Sequence, residues 1–87
     1  DEVYSRAFMA EDVSWTAGAL PEQPRAEVRI RHRPAPASAV LSFLDETRVR
    51  VVFDQPQRAV TPGQAAVFYR GDSVLGGGVI VRREEER

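Results

Sequence analysis

The sequence predicts an all-β domain, a sandwich or a small antiparallel barrel of about six short strands. Three observations carry this expectation. Turn-forming clusters of Gly, Pro and Asp recur roughly every eight to twelve positions. Between them the apolar residues alternate with polar ones, most cleanly from Arg25 to Arg33. No stretch of helical length keeps a 3.6-residue apolar period. Alternation alone leaves barrel and sandwich both open.

The 87 residues suffice for one small domain spanning 1–87, with 82–87 as a charged tail. Val3–Met9 has no clean period and is expected as a short strand or a turn of helix. Glu11–Trp15 reads as extended, with Val13 and Trp15 on one face. Trp15, the single tryptophan, is either a core or lid residue or an exposed ring for stacking on a base. Gly18–Pro24 is a loop.

Arg25–Arg33 reads as a half-buried strand, with Ala26, Val28, Ile30 and His32 facing inward. Its outer face carries Glu27 and four arginines, Arg25, Arg29, Arg31 and Arg33. Like charges along one face repel unless something anionic lies opposite. Cross-strand acids and solvent are one answer, and an RNA backbone is the other. Pro34-Ala35-Pro36 ends that strand as a loop or bulge, because each proline removes a ladder donor.

Ala39–Leu44 and Thr47–Phe53 read as a hairpin turning at Asp45-Glu46, with Leu41, Phe43, Val49, Val51 and Phe53 inward. Asp54–Arg58 contains Pro56 and is expected as a loop. Thr61-Pro62-Gly63-Gln64 is a turn in which Pro62 presets φ and Gly63 supplies a positive φ. Ala65–Tyr69 is a strand, Gly71-Asp72 a turn, and Val74-Leu75 opens a strand that Gly76-Gly77-Gly78 interrupts before Val79-Ile80-Val81. The glycines mark a sharp bend or a close approach of another group. Arg82–Arg87 lacks apolar residues and is expected to fray.

Composition narrows the chemistry. There is no cysteine, which removes thiolate nucleophiles, persulfide carriers and Cys-based zinc sites from these residues and favours an intracellular, cytoplasmic home. The formal net charge of −1 gives no overall attraction to nucleic acid. Every basic residue is arginine, as a GC-rich genome would give, though arginine's planar fork also suits phosphate and bases. His32 is the only histidine and has no identifiable Ser or Cys partner, so no catalytic residue is expected. The triple glycine does not read as a phosphate loop, since a strand follows it and the chain has no lysine. Starting at Asp1 without Met, the chain is expected to be a piece of a longer, soluble protein without a membrane span or signal peptide.

The final third carries a resemblance. Val60-Thr61-Pro62-Gly63-Gln64, Val67-Phe68-Tyr69, Gly71, Leu75-Gly76-Gly77-Gly78 and Ile80 are similar to the C-terminal end of the tRNA 2-thiouridylases (MnmA/TrmU). Upstream and in the same order, Phe53-Asp54-Gln55-Pro56 resembles that family's F-D-x-P, Arg31-His32-Arg33 its R-Y-R, and Asp12-Val13-Ser14-Trp15 its V-N-W. The resemblance implies a closed or partly closed barrel like the second domain of translation elongation factors. It implies tRNA contacts, near the anticodon, at Arg31, His32 and Gln64; Arg33 and Arg29, on the same cationic face, are expected as weaker backbone contacts. His32 stands where the family often has tyrosine. It further implies a parent enzyme that thiolates C2 of the wobble uridine, using ATP with Mg in a separate catalytic domain and sulfur from a donor protein. Two other readings stay open: a structural brace of that enzyme with little RNA affinity, and an unrelated translation-factor-like barrel.

Overall fold

The computed structural model describes residues 4–30 and 35–85. Six strands form it: β1 Tyr4–Trp15, β2 Arg25–Ile30, β3 Ala37–Phe43, β4 Val49–Arg58, β5 Ala65–Arg70 and β6 Ser73–Glu85. Every neighbouring pair is antiparallel, and the ring order β1-β4-β3-β2-β5-β6 closes through β6 and β1. The sheet is thus a barrel, the alternative that alternation alone could not select. Closure pairs the two outermost strands of the sheet, β1 and β6, with each other. The described residues contain no helix long and apolar enough to cross a membrane.

The inward residues are those that alternation picks out. Ala26, Val28 and Ile30 of β2, Leu41 of β3, and Val49, Val51 and Phe53 of β4 are buried, while Arg25, Glu27 and Arg29 are exposed. Phe8 and Phe68, both fully buried, fill the centre, with Phe8 tilted against Phe53 at 5.6 Å. Trp15 is held as a lid. Its ring stacks on Phe68 at 5.6 Å, meets Phe43 edge-on at 5.5 Å, and its Nε1 donates to the Glu46 carbonyl at 2.9 Å. A ring committed on these sides is a packing residue, not a platform for a base.

Four expectations need correction. Of the stretch expected as a short strand or turn of helix, Tyr4–Met9 is strand, and it runs on through Glu11–Trp15 as one strand, β1. Val3 lies outside the described residues. The 12 residues of β1 show no clean period because register shifts break it at Ser5/Ala7, Met9/Ala10 and Glu11/Ser14 against β6. Each extra residue flips the inward face, so alternation is lost while pairing persists.

Asp54–Arg58 is not a loop but the end of β4. β3 stops pairing at Phe53, and β1 skips from Val52 to Gln57, so Pro56 lies where no ladder needs its missing N–H.

The three glycines do not interrupt β6, which runs unbroken through them. They make room for β1. A Cβ at Gly78 would lie 2.6 Å from Val13 Cγ2 and 2.8 Å from the Glu11 carbonyl. At Gly76 it would collide with the Ser14 carbonyl and come within 2.7 Å of the Trp15 ring. Opposite Gly78, β1 spends two residues, Asp12 and Val13, in a bulge with Asp12 at φ 53°.

Arg82–Glu85 does not fray. It pairs with Ser5–Met9 as the last turn of the ladder. Polar as it is, this segment gains backbone hydrogen bonds and two side-chain anchors: Arg83 Nη1 donates to the Val60 carbonyl at 3.1 Å, and Glu84 binds Arg50.

Candidate nucleic-acid interface

The structure ties together two stretches far apart in sequence. Antiparallel pairing of β2 with β5 sets Glu27 opposite Tyr69, Arg29 opposite Val67, and Ile30 opposite Ala66. Ile30 immediately precedes Arg31 in the chain, and Ala66 follows Gln64 by two residues. The end of β2 and the start of β5 therefore share one end of the barrel. Arg31, His32 and Arg33 themselves lie outside the described residues.

Gln64 sits at the close of the Pro62-Gly63 turn. Gly63 has φ 96°, and Gln64 N–H donates back to the Thr61 carbonyl at 3.2 Å, as a type II turn requires. Two further bonds fasten the turn to β6: Gly63 N–H to the Ile80 carbonyl at 2.7 Å, and Ile80 N–H to the Gln64 carbonyl at 2.9 Å.

The Gln64 side chain is only partly available for an RNA contact. It is half-buried, and its Oε1 accepts from Thr61 N–H at 3.0 Å. The acceptor is committed to the turn. What remains to be offered is the Nε2 donor pair, a group suited to a phosphate or base acceptor.

Arg29 is exposed on the outer face of β2, two residues along from Glu27. At the other end of the same two strands, Arg25 opens β2 and Arg70 closes β5, and both have partners. Arg25 Nη1 bonds the Asp54 carboxylate at 2.7 Å, and Arg70 Nη2 donates to the carbonyls of Gln23 and Arg25 at 2.8 and 2.7 Å. The exposed Arg25–Asp54 pair links β2 to β4 and adds little stability, while Arg70 ties the 18–24 loop to β5 through the Gln23 carbonyl.

Sequence reasoning missed one neighbour of Arg29. Tyr69 is half-buried on the same outer face, with Phe68 beside it in the core. The signal was the alternation of Ala65–Tyr69, but only the strand pairing shows that Tyr69 meets β2.

Gly76–Gly78 offers no phosphate cradle. Gly76 and Gly77 are paired on both sides, with β1 and with β5, Gly78 pairs with β5 opposite the β1 bulge, and the run leads onward as strand.

Comparison with known proteins gives a consistent family. Residues 5–80 match the family described as the aminomethyltransferase beta-barrel domain. The chain is 55% identical over 84 residues to the tRNA-specific 2-thiouridylase MnmA of Solibacter usitatus, covering 92% of this chain and 23% of that protein. It is 45% identical over 83 residues to the protein of that name from Carboxydothermus hydrogenoformans, covering 94% of this chain and 23% of that protein. With the one from Acetivibrio thermocellus it shares 49% identity over 81 residues, again 92% and 23%. The chain spans less than a quarter of the length of these curated relatives.

Proposed function

Since the chain belongs to the aminomethyltransferase β-barrel domain family and corresponds to the C-terminal part of the tRNA 2-thiouridylases, we propose that it serves as the tRNA-docking barrel of such an enzyme. The longer protein would thiolate C2 of the wobble uridine in an ATP-dependent reaction in the cytoplasm. ATP with Mg would act in a catalytic domain of the same polypeptide, and a partner protein would supply sulfur. This chain holds and orients tRNA near the anticodon and contributes no catalytic residue.

One observation supports the reading above all. The β2–β5 ladder brings the end of β2 to the turn that carries Gln64, so residues distant in sequence converge on one end of the barrel. In the proposal Arg31 and His32 contact tRNA together with the Gln64 Nε2. Arg33 and Arg29 neutralise backbone phosphate more weakly. Family membership also removes the unrelated translation-factor barrel from consideration.

The experiment is a salt titration of the chain binding an anticodon stem-loop that contains a wobble uridine, wild type against Arg31→Ala. Docking predicts saturable binding that weakens with salt, and a variant whose log K against log salt slope is shallower by about one. A wild-type chain that does not bind even at low salt would refute the proposal.

The bracing role stands as a second reading, because Val74, Val79 and Val81 of β6 are exposed apolar residues available to a neighbouring domain. Bracing alone predicts that Arg31→Ala leaves RNA affinity unchanged.

A further inference from the structure

Beside Arg29 lies a cleft of about 310 Å³ of which the docking reading uses only Arg29, walled by Glu27, Arg29, Pro36, Tyr69, Gly71 and Asp72. Strand pairing builds it. Glu27 faces Tyr69 across the β2–β5 ladder on the outer face, since the flanking Val28 and Phe68 are both in the core. The β5–β6 turn, with Gly71 at φ 61°, sets Asp72 at the rim. Pro36, just before β3, closes the opposite side.

The chemistry of this lining is selective. Tyr69 is the one aromatic residue of the lining, and an aromatic ring is a surface on which a base can stack. Glu27 and Asp72 only accept hydrogen bonds when ionised, and they repel anionic oxygens. With two carboxylates against one guanidinium, the cleft is unsuited to phosphate. Its occupant must pair a flat ring with hydrogen-bond donors. A ribonucleoside has both, the donors being its 2′-hydroxyl and the amino or imino groups of its base. The volume lies at the low end of small-ligand sites, too small for a duplex and adequate for one nucleoside.

We propose that the Glu27–Tyr69–Asp72 cleft receives a single unstacked ribonucleoside of the bound RNA. Its base lies on Tyr69 and its donor groups reach the carboxylates, while the flanking phosphates fall to the arginines. This inference rests on the RNA-docking reading and assigns it a second element: single-stranded RNA is told from duplex by Tyr69, not by charge.

The test uses two RNA probes of equal phosphate number, a hairpin with an open loop and a blunt duplex, titrated against the chain and its variants across salt. Tyr69→Ala is expected to weaken the hairpin by about ten-fold, the scale of one base–aromatic stack, and to leave the duplex unchanged. Its salt slope stays that of wild type, because no charge is lost, whereas Arg31→Ala lowers the slope for both probes. Tyr69→Phe keeps hairpin affinity. Should Tyr69→Ala fail to fold by circular dichroism, Tyr69→Leu, which keeps bulk without the ring, takes its place with the same expected loss. Hairpin affinity unmoved by loss of the ring, or both probes weakened alike, overturns the cleft and leaves the docking reading standing if Arg31→Ala still weakens binding. A wild-type chain that binds neither probe overturns both.

Discussion

Arg50 of β4 and Glu84 of β6 are joined by two parallel hydrogen bonds, Nε to Oε2 at 2.7 Å and Nη2 to Oε1 at 2.6 Å, that reach across the intervening strand β1. A fork-to-fork pair of this kind is stronger than a single-point contact, because both guanidinium donors and both carboxylate oxygens are used. It fastens the end of β6 in a segment with few apolar side chains.

The pair makes stability depend on pH with a definite sign. Hydrogen bonding to Arg50 is the main cause holding the Glu84 carboxyl below its usual value of 4.5. A depressed folded-state pKa means that the unfolded chain binds the proton more readily. The contribution is therefore complete above 4.5 and is lost as pH falls through the lower folded-state value. With both side chains about one-third exposed, we expect Glu84→Gln to cost about 0.5 to 1 kcal/mol at neutral pH. Urea denaturation should show that gap closing in acid. A gap independent of pH would mean that the carboxylate charge contributes nothing.

Close approach, not turn geometry, explains the glycines of β6, and substitution separates the two. Gly76→Ala places a methyl group against the Ser14 carbonyl and the Trp15 ring, which are held by pairing with β6 and by the ring's contacts with Phe43, Phe68 and the Glu46 carbonyl. The expected loss is about 3 kcal/mol, with a change in Trp15 fluorescence as the ring is displaced. Gly71→Ala meets no atom within 4 Å and is opposed only by its φ of 61°, so about 1 kcal/mol is expected. Equal losses at the two positions would contradict the packing account.

How much of this was legible in sequence depends on whether alternation survives. β2 and the inward face of β4 could be read because their pairing is regular over Arg25–Ile30 and Val49–Phe53. β1 could not, since its bulges break the period that signals a strand, and a bulge is set by the partner strand as much as by its own residues. Pro56 reads as a loop residue until the structure shows that no neighbour seeks its N–H. The end of β6 looks like a tail because its charges are satisfied by Arg50 and the Val60 carbonyl, both remote in sequence. At the candidate interface, motif resemblance picked out Gln64, but not that its Oε1 is used by Thr61; a side chain's hydrogen-bond partner is a three-dimensional fact.

Ala59 is a place where the chain is strained and can be relieved. It links the end of β4 to the buried Val60 at φ 60°, a left-handed conformation that crowds its Cβ. Ala59→Gly removes that crowding, partly offset by the greater freedom of glycine in the unfolded chain. A net gain of about 0.5 kcal/mol in urea denaturation is expected. A loss would show that the methyl group packs favourably enough to outweigh its backbone conformation.

Gln64 combines a structural acceptor with a free donor, so its two roles can be divided by substitution. Gln64→Glu keeps an oxygen for the Thr61 N–H and preserves the turn, but replaces the Nε2 donor with a negative charge. Stability at neutral pH should change by less than about 0.5 kcal/mol, while affinity for an anticodon stem-loop falls by about ten-fold or more through lost donation and phosphate repulsion. Gln64→Leu loses the acceptor as well, leaving the Thr61 N–H without its partner, and should cost about 1 kcal/mol in addition to weakened binding. If Gln64→Glu binds RNA as tightly as wild type, the side chain acts only in the turn, and the resemblance that suggested an RNA contact there would reflect the demands of the fold.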